Sequence, residues 1–101
     1  MTYKEAEAWT TLADPNRRSI LTELAQGERT VSALTAALPV SQPAVSQHLK
    51  VLKHAGLVTD RAEGTKRIYR LDQAGVAALR DQLDTFWKRT MSGFERLMED
   101  E

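Results

Sequence analysis

Apolar residues in this chain recur first at spacings of three and four, then of two, then of three and four again. Proline, glycine or a capping residue stands at each change. The spacing predicts a first helix over about residues 3–13, with Trp9, Leu12 and Ala13 as its apolar contacts. It ends before Asp14-Pro15, because the residue preceding a proline is pushed out of the helical region. Asp14 then suits an N-cap and Pro15 a first helical position. That second helix carries Ile20, Leu21 and Leu24 on one face and stops at Gly27. A short third helix follows Thr30, with Val31, Leu34 and Leu38 inward, and ends at Pro39. Ser41 caps a fourth helix that runs to about Ala55, where Gly56 closes it. Two short helices joined only by Pro39-Val40-Ser41 form a helix-turn-helix candidate over about residues 30–55.

Residues 57–62 and 65–71 read as strands joined through Glu63-Gly64, with glycine for the positive-φ position of a hairpin. Lys66, Ile68 and Arg70 share one face of the second strand, and Arg67, Tyr69 and Leu71 share the other. That pattern suits a thin ribbon, packed at its base and basic along its length, better than a sheet interior. Asp72 caps a last long helix over about residues 73–98, whose apolar positions include Val76, Leu79, Leu83, Phe86, Trp87, Met91, Phe94, Leu97 and Met98. The predicted fold is mainly α with a small β-hairpin, in the order α-α-α-α-β-β-α. This is a winged helix-turn-helix occupying residues 1–101 as one domain, with its wing at about 57–71 and helical extensions at both ends.

On a wheel of 100° per residue, Gln42, Pro43, Ser46, Gln47, Lys50, Lys53 and His54 of the fourth helix fall within about one 140° arc. Val45, Leu49 and Leu52 lie opposite. The polar arc holds glutamines, a serine and two lysines but no carboxylate, a donor set suited to the major groove of DNA. Glutamine pairs bidentately with adenine, serine donates or accepts, and lysine reaches guanine or phosphate. Such helices enter the groove by their N-terminal end. Gln42, Pro43, Ser46 and Gln47 are therefore the candidates for base edges, and Ser41, Lys50 and Lys53 for the DNA backbone. The bland alternative is a solvated polar face. His48 falls inside the apolar side, where a lone histidine is either a packed, hydrogen-bonded residue or a base reader. It cannot share a metal with His54, which is turned about 240° away on the same helix.

In the hairpin, Arg61, Lys66 and Arg67 lie near the tip and are candidates for sequence-independent phosphate contact. Protection of a strand edge by charge is the plain alternative. Arg17 lies over the apolar stripe of its helix and suits pairing with a nearby acid, whereas Arg18 is freer to touch a phosphate. At the two ends, Trp9, Leu12, Leu79, Leu83, Phe86, Trp87, Met91 and Phe94 make a longer apolar surface than the edge of a small core requires. A twofold dimer through the helices at about 3–13 and 73–98 would cover it. Such a dimer would set two reading helices about 34 Å apart, the repeat of a palindromic operator. The alternative is that the stripe covers only the chain's own core.

Charge at first argues against a nucleic-acid partner. The 101 residues hold 14 Lys and Arg against 14 Asp and Glu, for a net charge of zero. Residues 1–40, however, carry four basic and five acidic side chains. Residues 41–70 carry six against two, and residues 71–101 four against seven. The positive share sits on the predicted reading helix and wing, an asymmetry that points to an anionic partner there. Absence of cysteine removes disulfides, thiolate metal sites and cysteine nucleophiles together. Residues 1–5 lack the charged-then-apolar layout of a signal peptide, and no run approaches the length of a membrane span, so a cytoplasmic protein without a membrane partner is expected. No glycine-rich phosphate loop and no serine–histidine–carboxylate arrangement supports an enzyme, and no cofactor or metal is expected.

The stretches Leu12-Ala13-Asp14-Pro15-Asn16-Arg17-Arg18-Ser19-Ile20-Leu21, Val31-Ser32-Ala33-Leu34, Ser41 through Leu52, Ala55-Gly56-Leu57-Val58 and Gly64 through Tyr69 resemble, in order, the ArsR (ArsR/SmtB) family of bacterial repressors. The resemblance spans roughly residues 5–85. It implies a homodimeric winged-helix repressor that binds an operator and leaves it when an effector binds, with base contacts at Gln42, Pro43, Ser46 and Gln47. Two departures bear on the signal. Many relatives carry Cys-Val-Cys where this chain has Thr30-Val31-Ser32, and others use Asp and His ligands on a last helix that here has no histidine. The chain thus resembles the branch without metal sites, whose signal is a small molecule, a protein partner, or autoregulation alone. A winged helix that binds only protein is the rival function, and it would want an apolar or acidic reading face.

Overall fold

The computed structural model describes residues 8–99. The first predicted helix is described from Ala8 to Thr11, and its earlier part lies outside the described residues. Asp14 ends that region and starts the next, its carboxylate accepting from the backbone N–H groups of Asn16 and Arg17 at 2.8 and 3.4 Å. Helix α1 (Pro15–Ala25) follows with proline in its first turn. Strand β1 (Arg29–Thr30) leads into α2 (Val31–Ala37), whose N-cap is Thr30, its Oγ1 accepting from Ala33 N–H at 3.1 Å. Helix α3 (Gln42–His54) is capped by Ser41 in the same way, accepting from Ala44 N–H at 3.3 Å. Strands β2 (Val58–Glu63) and β3 (Lys66–Leu71) form the hairpin, and α4 (Gln73–Glu99) runs for 27 residues.

The sheet has three strands in the order β1-β3-β2, both pairings antiparallel, so the expected hairpin is present and a further short strand joins it. Arg29 and Thr30 pair with Tyr69 and Ile68 of β3, tying the start of α2 to the base of the wing. Two residues are too short to show alternation, which is why periodicity did not disclose β1. Across the hairpin, Val58 pairs with Leu71 at the base and Glu63 with Lys66 at the tip, where Gly64 supplies φ +63°.

The core consists of Ile20 and Leu24 from α1, Leu34 from α2, Val45, Leu49 and Leu52 from α3, and Leu57 and Val58 at the hairpin base, with Ala8 and Ala55. The members from α1, α2 and α3 lie on the faces that helical spacing assigned inward, whereas in the first helical region Ala8 takes the buried place and Ala13, expected as an apolar contact, is exposed. Val76 and Leu79 of α4 pack against the core, but no residue of α4 is itself buried. At about 1.5 Å per residue this helix is about 40 Å long, and its second half leaves the body, giving an outline of 62 × 25 × 22 Å.

Candidate nucleic-acid interface

One side of α3 is buried to zero exposure at Val45, Leu49 and Leu52, which turns Gln42, Pro43, Ser46, Gln47, Lys50 and Lys53 outward. All six are exposed, and His54 is exposed beside them. Gln42, Ser46 and Gln47 make no side-chain hydrogen bond with any described residue, and Lys50 makes no ion pair there. A row of amides and a hydroxyl in the exposed N-terminal half of the helix, with an ammonium one turn further on, offers donors and acceptors to an outside partner.

His48 sits at the margin of this row, half-buried, and its Nδ1 accepts from Arg17 Nε at 3.3 Å. Arg17 Nη1 also donates to the Thr11 carbonyl at 3.5 Å. The expected acid partner of Arg17 is thus replaced by an imidazole and a backbone oxygen. Arg18, expected to be freer, donates through Nη1 to the Leu12 carbonyl at 2.7 Å and the Ala13 carbonyl at 3.4 Å. It remains exposed, but it closes the turn that precedes α1.

The basic residues of the wing divide into two groups. Lys66 at the tip is exposed and makes no ion pair among the described residues. Arg61 is held by a fork of two bonds to Glu28, Nη1 to Oε1 at 2.9 Å and Nη2 to Oε2 at 2.8 Å, with Glu63 at 3.3 Å. The hydrogen bond from Arg61 lowers the Glu28 carboxyl below its ordinary range. Arg67 Nη1 and Lys53 Nζ meet the same carboxylate, that of Asp60, at 2.9 and 2.7 Å. The Asp60 side chain is only 5% exposed, whereas Lys53 and Arg67 are 56% and 53% exposed. Lys53, Arg61 and Arg67 therefore carry their charge into internal pairs.

Sequence reasoning did not single out Asp60 or Glu28. The signal for Asp60 lay in strand alternation, since it shares a face with the buried Val58 and so points inward toward α3. Glu28 lay beside an unrecognised strand and gave no signal.

Where metal-sensing relatives were expected to hold cysteines, Thr30 caps α2 and Ser32 is exposed. On α4, Leu83, Phe86, Trp87, Met91 and Phe94 are 39 to 53% exposed, while Leu79 packs against the core. Trp9 is half-buried, donates Nε1–H to Gln82 Oε1 at 3.0 Å, and meets Phe86 edge-on at a ring separation of 6.4 Å. Phe86 in turn meets Trp87 at 5.5 Å. Trp9 thus joins the aromatic face of α4 through Phe86, while Leu12 packs against the core. No described helix is long and apolar enough to cross a membrane.

Two short helices at a fixed turn, the second presenting a free polar row, followed by a strand pair ending in a basic tip, define a winged helix-turn-helix. The chain belongs to the arsR family of bacterial regulatory proteins, whose sequence profile matches residues 14–60, and is a transcriptional regulator of that family. It is 54% identical over 101 residues to the HTH-type transcriptional regulator Rv2034 of Mycobacterium tuberculosis, covering 99% of this chain and 94% of that one. Over 60 residues it is 50% identical to the HTH-type transcriptional repressor SmtB of the same species, covering 59% of this chain and 44% of the relative. Among solved structures, the homodimeric winged helix-turn-helix DNA-binding domain Mb0332 of Mycobacterium bovis superposes with a TM-score of 0.70. It is 35% identical, with 87% of this chain and 82% of that one covered.

Proposed function

We propose that this regulator acts as a cytoplasmic homodimeric repressor that reads a palindromic operator through α3. The observation that carries the reading is the row Gln42, Ser46 and Gln47. These side chains are exposed, make no hydrogen bond among the described residues, and stand in the N-terminal half of a helix whose opposite side is fully buried. Base edges in the major groove offer the acceptors and donors this row lacks, with Pro43 packing beside them. Lys50 and Lys66, with no ion pair among the described residues, and the Ser41 hydroxyl lead the backbone contacts. Lys53, Arg61, Arg67 and Arg18 are available only as far as their internal partners allow. The exposed aromatic face of α4 together with Trp9 and Leu12 supports a second copy as partner, since a surface of this kind in water marks an interface. Repression then follows from occupancy, because a dimer seated on a promoter excludes the polymerase. Without cysteine at the α2 cap or histidine on α4, the releasing signal is a small molecule, a protein partner, or the regulator's own concentration.

The test is a titration of the protein against a duplex of its own promoter region and a scrambled duplex at several salt concentrations. Nanomolar binding confined to the promoter duplex, weakening steeply with salt, is expected. Replacing Gln42 and Gln47 with Ala should relax the preference between duplexes, while Lys66→Ala should weaken both about equally. Binding that ignores salt, or no binding to any promoter duplex, removes the reading.

A further inference from the structure

The Lys53–Asp60–Arg67 cluster joins the last turn of the reading helix to the wing through one carboxylate. Each oxygen of Asp60 takes one cation, Oδ1 the ammonium of α3 and Oδ2 the guanidinium of β3. The carboxylate is shielded from water while both cations are half exposed, Lys53 on the outward face of α3 and Arg67 on the wing. Shielding matters, because a carboxylate at 5% exposure holds its partners far more firmly than a solvated one would. A phosphate arriving at this surface meets two cations that already have an anion.

We propose that Asp60 is an internal stand-in for a DNA phosphate that withholds Lys53 and Arg67 from the DNA backbone and so sets the strength and salt dependence of the sequence-independent share of binding. Binding to arbitrary DNA rests on phosphate neutralisation alone, whereas operator binding adds base contacts that do not depend on these two charges. Satisfying the cations internally therefore weakens the sequence-independent share of binding on every duplex and leaves the base contacts untouched. Arg61, held by Glu28, follows the same logic in a more exposed setting and contributes less. The inference rests on the DNA-binding reading above and concerns how much of that binding depends on phosphate.

The experiment compares the unmutated protein with Asp60→Asn, which keeps the shape and removes the charge, on promoter and scrambled duplexes from about 50 to 300 mM salt. Thermal melting establishes that both proteins are folded. Loss of the carboxylate leaves one or two more cations to phosphate, so the slope of log affinity against log salt should steepen by about 0.9 to 1.8. Affinity for the scrambled duplex should rise about tenfold at about 0.1 M salt. Affinity for the promoter duplex should rise by about the same factor, leaving the ratio between the duplexes unchanged, and Asp60→Glu, which restores the charge, should return slope and affinity toward the unmutated values. An unchanged slope and affinity in Asp60→Asn, or a loss of affinity for both duplexes with a shallower slope, overturns the inference alone. The second outcome would mean that Asp60 aligns the two cations for phosphate. Failure of the unmutated protein to bind any duplex overturns the functional reading and this inference together.

Discussion

Gly75, in the first turn of α4, lies directly against the backbone carbonyl of Gly56, the residue at which the reading helix ends. A Cβ on Gly75 would overlap that oxygen and crowd the carbonyl carbon at 2.9 Å. The Asp72 N–H donates to the Leu57 carbonyl at 2.9 Å, and the Asp72 carboxylate accepts from Gly75 N–H at 3.2 Å. The base of the long helix is thereby seated on the end of α3, backbone against backbone. The obstruction is main chain rather than a side chain that could swing away, so Gly75→Ala should cost about 2–3 kcal/mol. For a chain of this length that is a fall in melting temperature of about 10 °C or more. A thermal melt unchanged from that of the unmutated protein would refute the close seating.

The Arg17–His48 bond gives the half-buried imidazole a partner inside the protein. Arginine can only donate, so His48 accepts at Nδ1 and is spent on holding α1 to α3. His48→Ala should therefore lower stability by about 1 kcal/mol, the usual net value of such a bond. Operator preference should stay unaltered. Urea unfolding reads the first effect, and a panel of base-substituted duplexes reads the second. A changed base preference at any position would assign His48 to the groove instead.

Phe86 and Trp87 are each 53% exposed and in edge-on contact, on a helix with no buried residue. If a second copy covers them, Trp87 lies where truncation of a large aromatic anchor costs about 2 kcal/mol or more. Trp87→Ala should then raise the dimer dissociation constant about thirtyfold. Sedimentation across a micromolar concentration range measures it directly. A monomer mass for the unmutated protein at those concentrations would exclude this interface.

Acid should loosen the joint between reading helix and wing. The hydrogen bond from Lys53, with that from Arg67, lowers the Asp60 carboxyl below its ordinary value of 3.8 even though burial pushes the other way. A carboxyl lowered in the folded state contributes stability that is fully present above its ordinary value and is lost as pH falls through the lowered one. The stability difference between the unmutated protein and Asp60→Asn should thus stay constant from about pH 7 to about 5 and shrink below about pH 4. Unfolding curves for the pair across that range check it. A difference that persists undiminished at about pH 2 would show that the ion pairs do not carry it.

Much of this molecule was legible before any coordinates. Ile20 and Leu24, Leu34, and Val45 with Leu49 and Leu52 stand at helical spacing and are all buried. Asp14, Thr30 and Ser41 are capping residues and do cap. The outward row of α3 followed from the same wheel, since burying one side of a helix leaves no choice about the other. Less legible was anything joining residues far apart in the chain. Arg17 meets His48 thirty-one positions away and Arg61 meets Glu28 thirty-three positions away, and no periodicity links them.

What the sequence by itself determined is therefore local: where helices start and stop, which faces are apolar, and that positive charge gathers between residues 41 and 70. Hydrogen-bond caps, helical period and covalent spacing act over a few residues, and the chain displays them openly. Only the tertiary structure decided how that charge is spent. It placed Asp60 between Lys53 and Arg67 and Glu28 against Arg61, leaving Lys50 and Lys66 without an internal ion pair among the described residues. An ion pair falls off over a few ångströms in space and takes no account of distance along the chain. A count of basic residues can therefore locate the surface, while the fold alone determines which of its charges an approaching phosphate would find free.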